Sequence, residues 1–226
     1  MLRFALTAAM LTGFMPAQAA PARAPDLDAL VSHETRQVMA NGVTRVDRWQ
    51  ERLVRRGETV WAERAMPAGR ADKHDDETVA EHIGHRHFNA DTSARWLSRN
   101  AGGSVTLKLV DREHQAVVAV PRAEFGTVGF DGRFDAAVSV VPASAVRAMK
   151  PGAVNADGQW FSDRSGGWSH RVLWSEARQL AMRVESQRDD GSVKRVVMVR
   201  VVAAPAAVPW AGLQNFAAKR YDDFMD

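Results

Sequence analysis

WSHRVLWSEARQLAMRVESQRDDGSVKRVVMVRVV, residues 168–202, decides the fold class of this chain. Valine, leucine, tryptophan and methionine alternate with charged or hydroxyl-bearing residues in three successive runs. A period of two is what a strand with one buried and one wet face requires, because successive side chains leave opposite sides of the pleat. Three such runs predict an antiparallel meander. Its second connection, Arg188-Asp189-Asp190-Gly191-Ser192, centres on Asp-Gly, a pair that tolerates the positive φ angles of a tight hairpin.

Upstream of the meander, residues 158–162 begin another strand, which Arg164-Ser165-Gly166-Gly167 turns back. Residues 104–120, SVTLKLVDREHQAVVAV, read as two strands about a turn at Asp111–His114, stopped by Pro121, which has no ladder donor. After Pro121, glycines and phenylalanines suit turns whose aromatics plug a curved sheet, followed by a strand over 136–141 and a helical turn over 144–149. Arg56-Gly57-Glu58 centres a first hairpin, with Val46, Trp49, Leu53 and Val60 punctuating its charged residues. Before it, Leu27, Leu30 and Val31 stand at helical spacing behind Asp26, which predicts a short helix. Ala94, Trp96 and Leu97 behind Asp91 or Thr92 predict a helical segment or an irregular edge strand. At the far end, Trp210, Leu213, Phe216 and Ala217 predict a short amphipathic helix, which either docks on the sheet or binds a partner.

Residues 1–19 have one basic residue, an apolar run and Ala17-Gln18-Ala19, the pattern of a secretory signal cleaved near Ala19. The run is short for a membrane anchor, the alternative reading, and no later stretch is long and apolar enough to span a bilayer. With no cysteine, neither a disulfide nor a lipid-bearing cysteine is available. These features predict an exported protein, periplasmic in a Gram-negative source. Beyond the signal lie one antiparallel β domain over 20–204, an exposed His/Asp-rich insertion at 68–87, and a helical tail over 205–226. Lys and Arg number 30 against 27 Asp and Glu, and the arginines are scattered through strands, which argues against a nucleic-acid footprint.

His82, His85 and His87 form the most distinctive chemical cluster, with His74, Asp75, Asp76, Glu77 and Glu81 just upstream. Imidazoles so spaced on a loop can converge on copper or zinc, and carboxylates can hold their ring N–H groups. The bland reading is a solvated polar loop, since the spacing fits no closed zinc motif. Catalytic signatures are missing: there is no G-x-S-x-G, no H-E-x-x-H and no cysteine nucleophile, and a trio such as Ser165, His170 and Asp163 is ordinary hairpin sequence. The chain therefore reads as a non-enzyme. Of its seven tryptophans, Trp49, Trp61, Trp160 and Trp174 lie in or beside predicted strands, either as core or lining an apolar cavity in the curved sheet. No polar residue stands out as a ligand selector.

Val172–Trp174, Leu180–Glu185, Asp190-Gly191 and Val193–Val199 resemble the strand-turn-strand pattern of the exported lipoprotein carriers LolA and LolB and of the envelope stress regulator RseB. That family commonly has proline and leucine before the second strand, where this chain has Leu180-Ala181. The resemblance covers about 30 residues; elsewhere it rests on size and strand count. It implies a half-open antiparallel β-barrel closed by short helices, no enzymatic activity, and an apolar guest: an acyl chain, or a lipoprotein or envelope-protein segment. The His-rich insertion and the tail depart from the pattern.

Overall fold

The alternation in 168–202 becomes three paired strands in the computed structural model, which describes residues 23–65 and 92–224. They are β9 (Trp168–Ser175), β10 (Leu180–Arg188) and β11 (Val193–Val202). Gly191, at φ 73°, supplies the left-handed residue of the second turn. Upstream are β1 (Leu27–Val38), β2 (Thr44–Arg56), β3 (Thr59–Arg64), β4 (Ala94–Arg99), β5 (Val105–Asp111), β6 (Ala116–Val120), β7 (Lys150–Asn155) and β8 (Gly158–Ser165), with β12 (Ala217–Arg220) in the tail. Two short helices, α1 (Phe134–Ser139) and α2 (Ala143–Arg147), interrupt the series.

All twelve described strands form one open sheet in the order β12-β6-β5-β4-β3-β2-β1-β11-β10-β9-β8-β7. Every pair is antiparallel except β12 with β6. The chain is therefore mainly β, with a curved sheet partly covered by short helices and no closed barrel. Gly158 fixes one corner: at φ 151° its missing Cβ leaves room for the Trp174 carbonyl, which a side-chain carbon would meet at 2.1 Å.

Each face of the sheet has its own cover. On one face Leu53, Val60, Leu97, Leu107, Leu109, Val118 and Val120 pack beneath Phe125, Val128, Phe130 and Phe134, from the segment joining β6 to α1. Farther along the same face, Val172, Trp174 and Ala181 pack beneath Val146 of α2. On the opposite face Val54, Trp61, Ala94 and Val110 pack beneath Leu213, with Trp210 and Phe216 beside it. The tail thus straps the face opposite the helices, and β12 extends the sheet edge beyond β6.

Several local expectations give way to the structure. Residues 27–31 are strand, not helix: Leu27, Asp28 and Ala29 are all buried, so no clean alternation survives where both faces are covered. Residues 94–99 are likewise strand, and an interior one, with Ala94 under the tail and Leu97 under the helical cover. The strand expected over 136–141 does not form; residues 136–139 belong to α1. The tail has no amphipathic α-helix. A 3-10 turn opens at Pro209, a strand follows at Ala217, and a second 3-10 turn begins at Tyr221. Trp210, Leu213 and Phe216 lie three apart, the period of a 3-10 helix rather than an α-helix.

Candidate ligand-binding site

Register shows what lies beyond the helical cover. Phe161 pairs with Val172, Val172 with Val184, Val184 with Val197, Val197 with His33, and His33 with Trp49. These six side chains share the helix-covered face and form one strip across β8, β9, β10, β11, β1 and β2. Only Val172 is fully buried; Phe161, Val184, Val197 and His33 are half-buried, and Trp49 is 36% exposed. Towards the strand ends, the next row on that face is polar: Asp163, His170, Ser186, Arg195, Thr35 and Asp47. An apolar shelf therefore runs between the α2 cover and a polar rim. The core beneath the cover is filled by its own aromatics, so the accessible apolar surface is this shelf rather than an interior hollow.

At the β2 end of the shelf, the His33 and Trp49 rings stack with centroids 3.7 Å apart and 5° between planes. Glu51 holds the His33 Nε2 atom at 3.2 Å, and the Arg64 guanidinium lies 5.6 Å from the Trp49 ring centroid. At the α2 end, the Trp174 Nε1–H donates to Glu176 Oε2 at 2.7 Å. That bond, a second from Gln179 and the nearby Arg147 cation hold the Glu176 carboxyl below its ordinary range. Trp174 also lines an open cleft of about 470 Å³ with Arg99, Phe134, Val138, Ala143 and Arg147. A larger cleft, about 690 Å³, lies beside the middle of β2, lined by His33, Trp49 and Arg64 and, from the opposite face, by Ser32, Glu34, Arg48, Gln50 and Met198.

The four tryptophans singled out from sequence do not converge on one cavity. Trp49 and Trp174 share the helix-covered face but line different clefts. Trp61 is fully buried on the opposite face, with the Trp210 ring 6.4 Å away. Trp160 pairs with Leu173 on that opposite face, and Arg171 lies over its ring at 4.4 Å. The shelf residues Phe161, Val184, Val197 and His33 were missed by sequence reasoning: hairpin turns align Phe161 with Val172 and Val184 with Val197, but the pairing of Val197 with His33 joins strands remote in the chain.

The Ser165 hydroxyl donates to Asp163 Oδ2 at 3.0 Å, while the His170 Nδ1 atom bonds Ser186 Oγ at 2.9 Å. The serine is thus bound to the carboxylate and the imidazole to another hydroxyl, which is not the order of a nucleophile, its base and an orienting acid. His82, His85 and His87 lie outside the described residues, as do residues 1–19. Among the described residues no group of three or more His, Asp or Glu is placed to hold a metal, and no helix is long and apolar enough to cross a membrane.

No family model and no curated protein matches this chain. Solved structures similar to it include a LolA superfamily protein from Nitrosomonas europaea, at 9% identity and a TM-score of 0.28 over 81% of this chain and 90% of the other. A putative outer membrane lipoprotein-sorting protein domain from Vibrio parahaemolyticus matches at 9% identity and a TM-score of 0.31, over 83% and 89%. A DUF1329 family protein from Desulfovibrio piger matches at 7% and 0.37, over 85% and 90%. PNGF-II also matches, at 9% identity and 0.39, but this chain spans only 32% of its length. The neighbours thus include the superfamily that residues 172–199 resemble; the fold itself stands on the strand order and register above.

Proposed function

We propose that this chain is an exported, non-enzymatic binding protein that holds an apolar group, an acyl chain or an apolar polypeptide segment, along the shelf from Phe161 to Trp49. One observation carries the reading: five half-buried or exposed side chains of the six-residue row lie on the same face as the core, continuous with it, and lack the helical cover that the rest of that face has. Five strand spacings make the row about 24 Å long, enough to lay out an extended acyl chain. Burying such surface releases roughly 25 cal/mol per Å², and the rim of Asp163, His170, Ser186 and Arg195 can meet a guest's polar end. The secretory pattern of residues 1–19 would deliver the protein to the periplasm, where a lipoprotein or another envelope protein is the natural donor of such a guest.

Titration of the purified chain with a fluorescent fatty-acid analogue tests this. Saturable binding is expected, weakened about tenfold or more in Val197→Asp, which sets a charge in the middle of the shelf. Trp49→Ala, at the exposed end, should weaken it less and should abolish any probe-induced change in Trp49 emission. Absence of binding, or binding unchanged in both variants, overturns the proposal.

A further inference from the structure

Opposite the shelf, the same six strands present a different surface. Its rows, read by register, are Arg164, Ser169, Gln187, Lys194, Arg36 and Val46; then Ser162, Arg171, Glu185, Val196, Glu34 and Arg48; then Trp160, Leu173, Arg183, Met198, Ser32 and Gln50. Arg200 follows in the next row, and only beyond it does the face come under the tail. With Arg52 of the Arg200 row and its partner Asp28, the eight cations Arg36, Arg48, Arg52, Arg164, Arg171, Arg183, Lys194 and Arg200 meet the four carboxylates Asp28, Glu34, Glu185 and Asp189. That is an excess of four on part of one face, while the whole chain has an excess of three, 30 against 27.

Arg48 is paired with Glu34, Arg171 and Arg183 with Glu185, and Arg164 with Asp189. Among the described residues, Arg36, Lys194 and Arg200 have no carboxylate within ion-pair distance. Arg36 and Lys194 are moreover direct cross-strand partners, an arrangement of like charges that destabilises a sheet unless an anion lies over it. Glu34 has its pKa held down first by the bond and charge of Arg48 and then, more weakly, by Arg36 and Lys194, but it is already engaged by Arg48.

We infer that this basic face docks on an anionic lipid bilayer. Three features favour a bilayer over an acidic protein. The cations are spread over six strands, about 24 Å, rather than gathered in a cleft. Val46 and Met198 stand among them, 41% and 47% exposed. The β1–β2 hairpin ends the face in further exposed apolar residues, Val38, Met39 and Val43, and all residues from Arg36 to Gln50 are exposed. Cations interleaved with protruding apolar side chains suit a headgroup layer, where each Lys or Arg gains from surface potential and small apolar groups enter the acyl boundary. The inference is independent of what the shelf holds.

Vesicle co-sedimentation of the full chain decides it, with phosphatidylcholine vesicles containing or lacking phosphatidylglycerol. Binding is expected to the anionic vesicles alone and to weaken at high salt. Arg36→Glu with Lys194→Glu, both exposed, should reduce it about tenfold or more, while Arg122→Glu with Arg133→Glu, equal in charge but on the loop over the other face, should leave most of it. Fatty-acid probe binding in vesicle-free solution should be the same in the Arg36/Lys194 variant as in the parent, so failure here is distinguishable from failure of the shelf. Equal binding to neutral vesicles overturns the inference, as does equal loss in both double variants. Absence of vesicle binding, the result expected of an acidic protein partner, overturns it too.

Discussion

The His33 imidazole lies flat on the Trp49 indole, 3.7 Å between centroids, with Glu51 fixing its outer nitrogen at 3.2 Å. These two residues are cross-strand partners in β1 and β2, at the β2 end of the shelf. The stack fixes the indole edge that a guest would meet. His33→Ala should cost about 0.5–1.5 kcal/mol in urea unfolding, the usual worth of such a ring pair. It should also shift Trp49 emission to longer wavelength. A variant with unchanged stability and emission would mean that the stack does not form in solution.

Glu176, in the β9–β10 turn beside the α2 cover, gives the fold a pH dependence. Its carboxyl is held below its ordinary range by the Trp174 N–H, then by Gln179, then by the charge of Arg147. A carboxylate lowered in the folded state contributes its stabilisation fully above its unfolded value and loses it as pH falls through the folded one. The stability difference between the parent and Glu176→Gln should therefore be constant near neutrality and shrink below about pH 4. Urea unfolding at a series of pH values, followed by Trp174 fluorescence, checks this; a difference that persists at pH 3 would contradict it.

How far the sequence speaks depends on how many sides of a strand are covered. β9, β10 and β11 have one covered and one wet face over much of their length, so their alternation could be read directly. β4 passes beneath the helical cover on one side and the tail on the other, and β1 has Leu27 and Ala29 in the core on one side and Asp28 buried by Arg52 and Arg56 on the other, which erases the period and leaves spacings that imitate a helix. The shelf was hidden for a different reason. His33, Val197 and Phe161 are far apart in the chain, and only the register of five strand pairs aligns them. Tryptophan drew attention as the largest apolar side chain, but Trp61 and Trp160 belong to the opposite face, where one fills the core under Trp210 and the other lies under Arg171.

Arg55 is the tie that keeps the cover in place, and nothing in the alternation announced it. It is fully buried, and no carboxylate is bonded to it. Its guanidinium donates instead to four carbonyls: Pro25 at 2.7 Å, Val138 at 2.8 Å, Gln179 at 3.1 Å and Arg178 at 2.6 Å. Val138 lies in the last turn of α1, where carbonyls lack helical partners and carry the negative end of the helix dipole. One side chain thereby joins the strand preceding the β2–β3 turn, the N-terminal segment, the end of α1 and the β9–β10 turn. Burial pulls its pKa down to about 10, which leaves it charged at neutral pH and dependent on those four dipoles. Arg55→Met leaves the carbonyls without donors and should cost about 3–5 kcal/mol in urea unfolding. Arg55→Lys keeps the charge but not the fork and should cost about 2 kcal/mol. Equal stability of the parent and Arg55→Met at pH 7 would remove the tie.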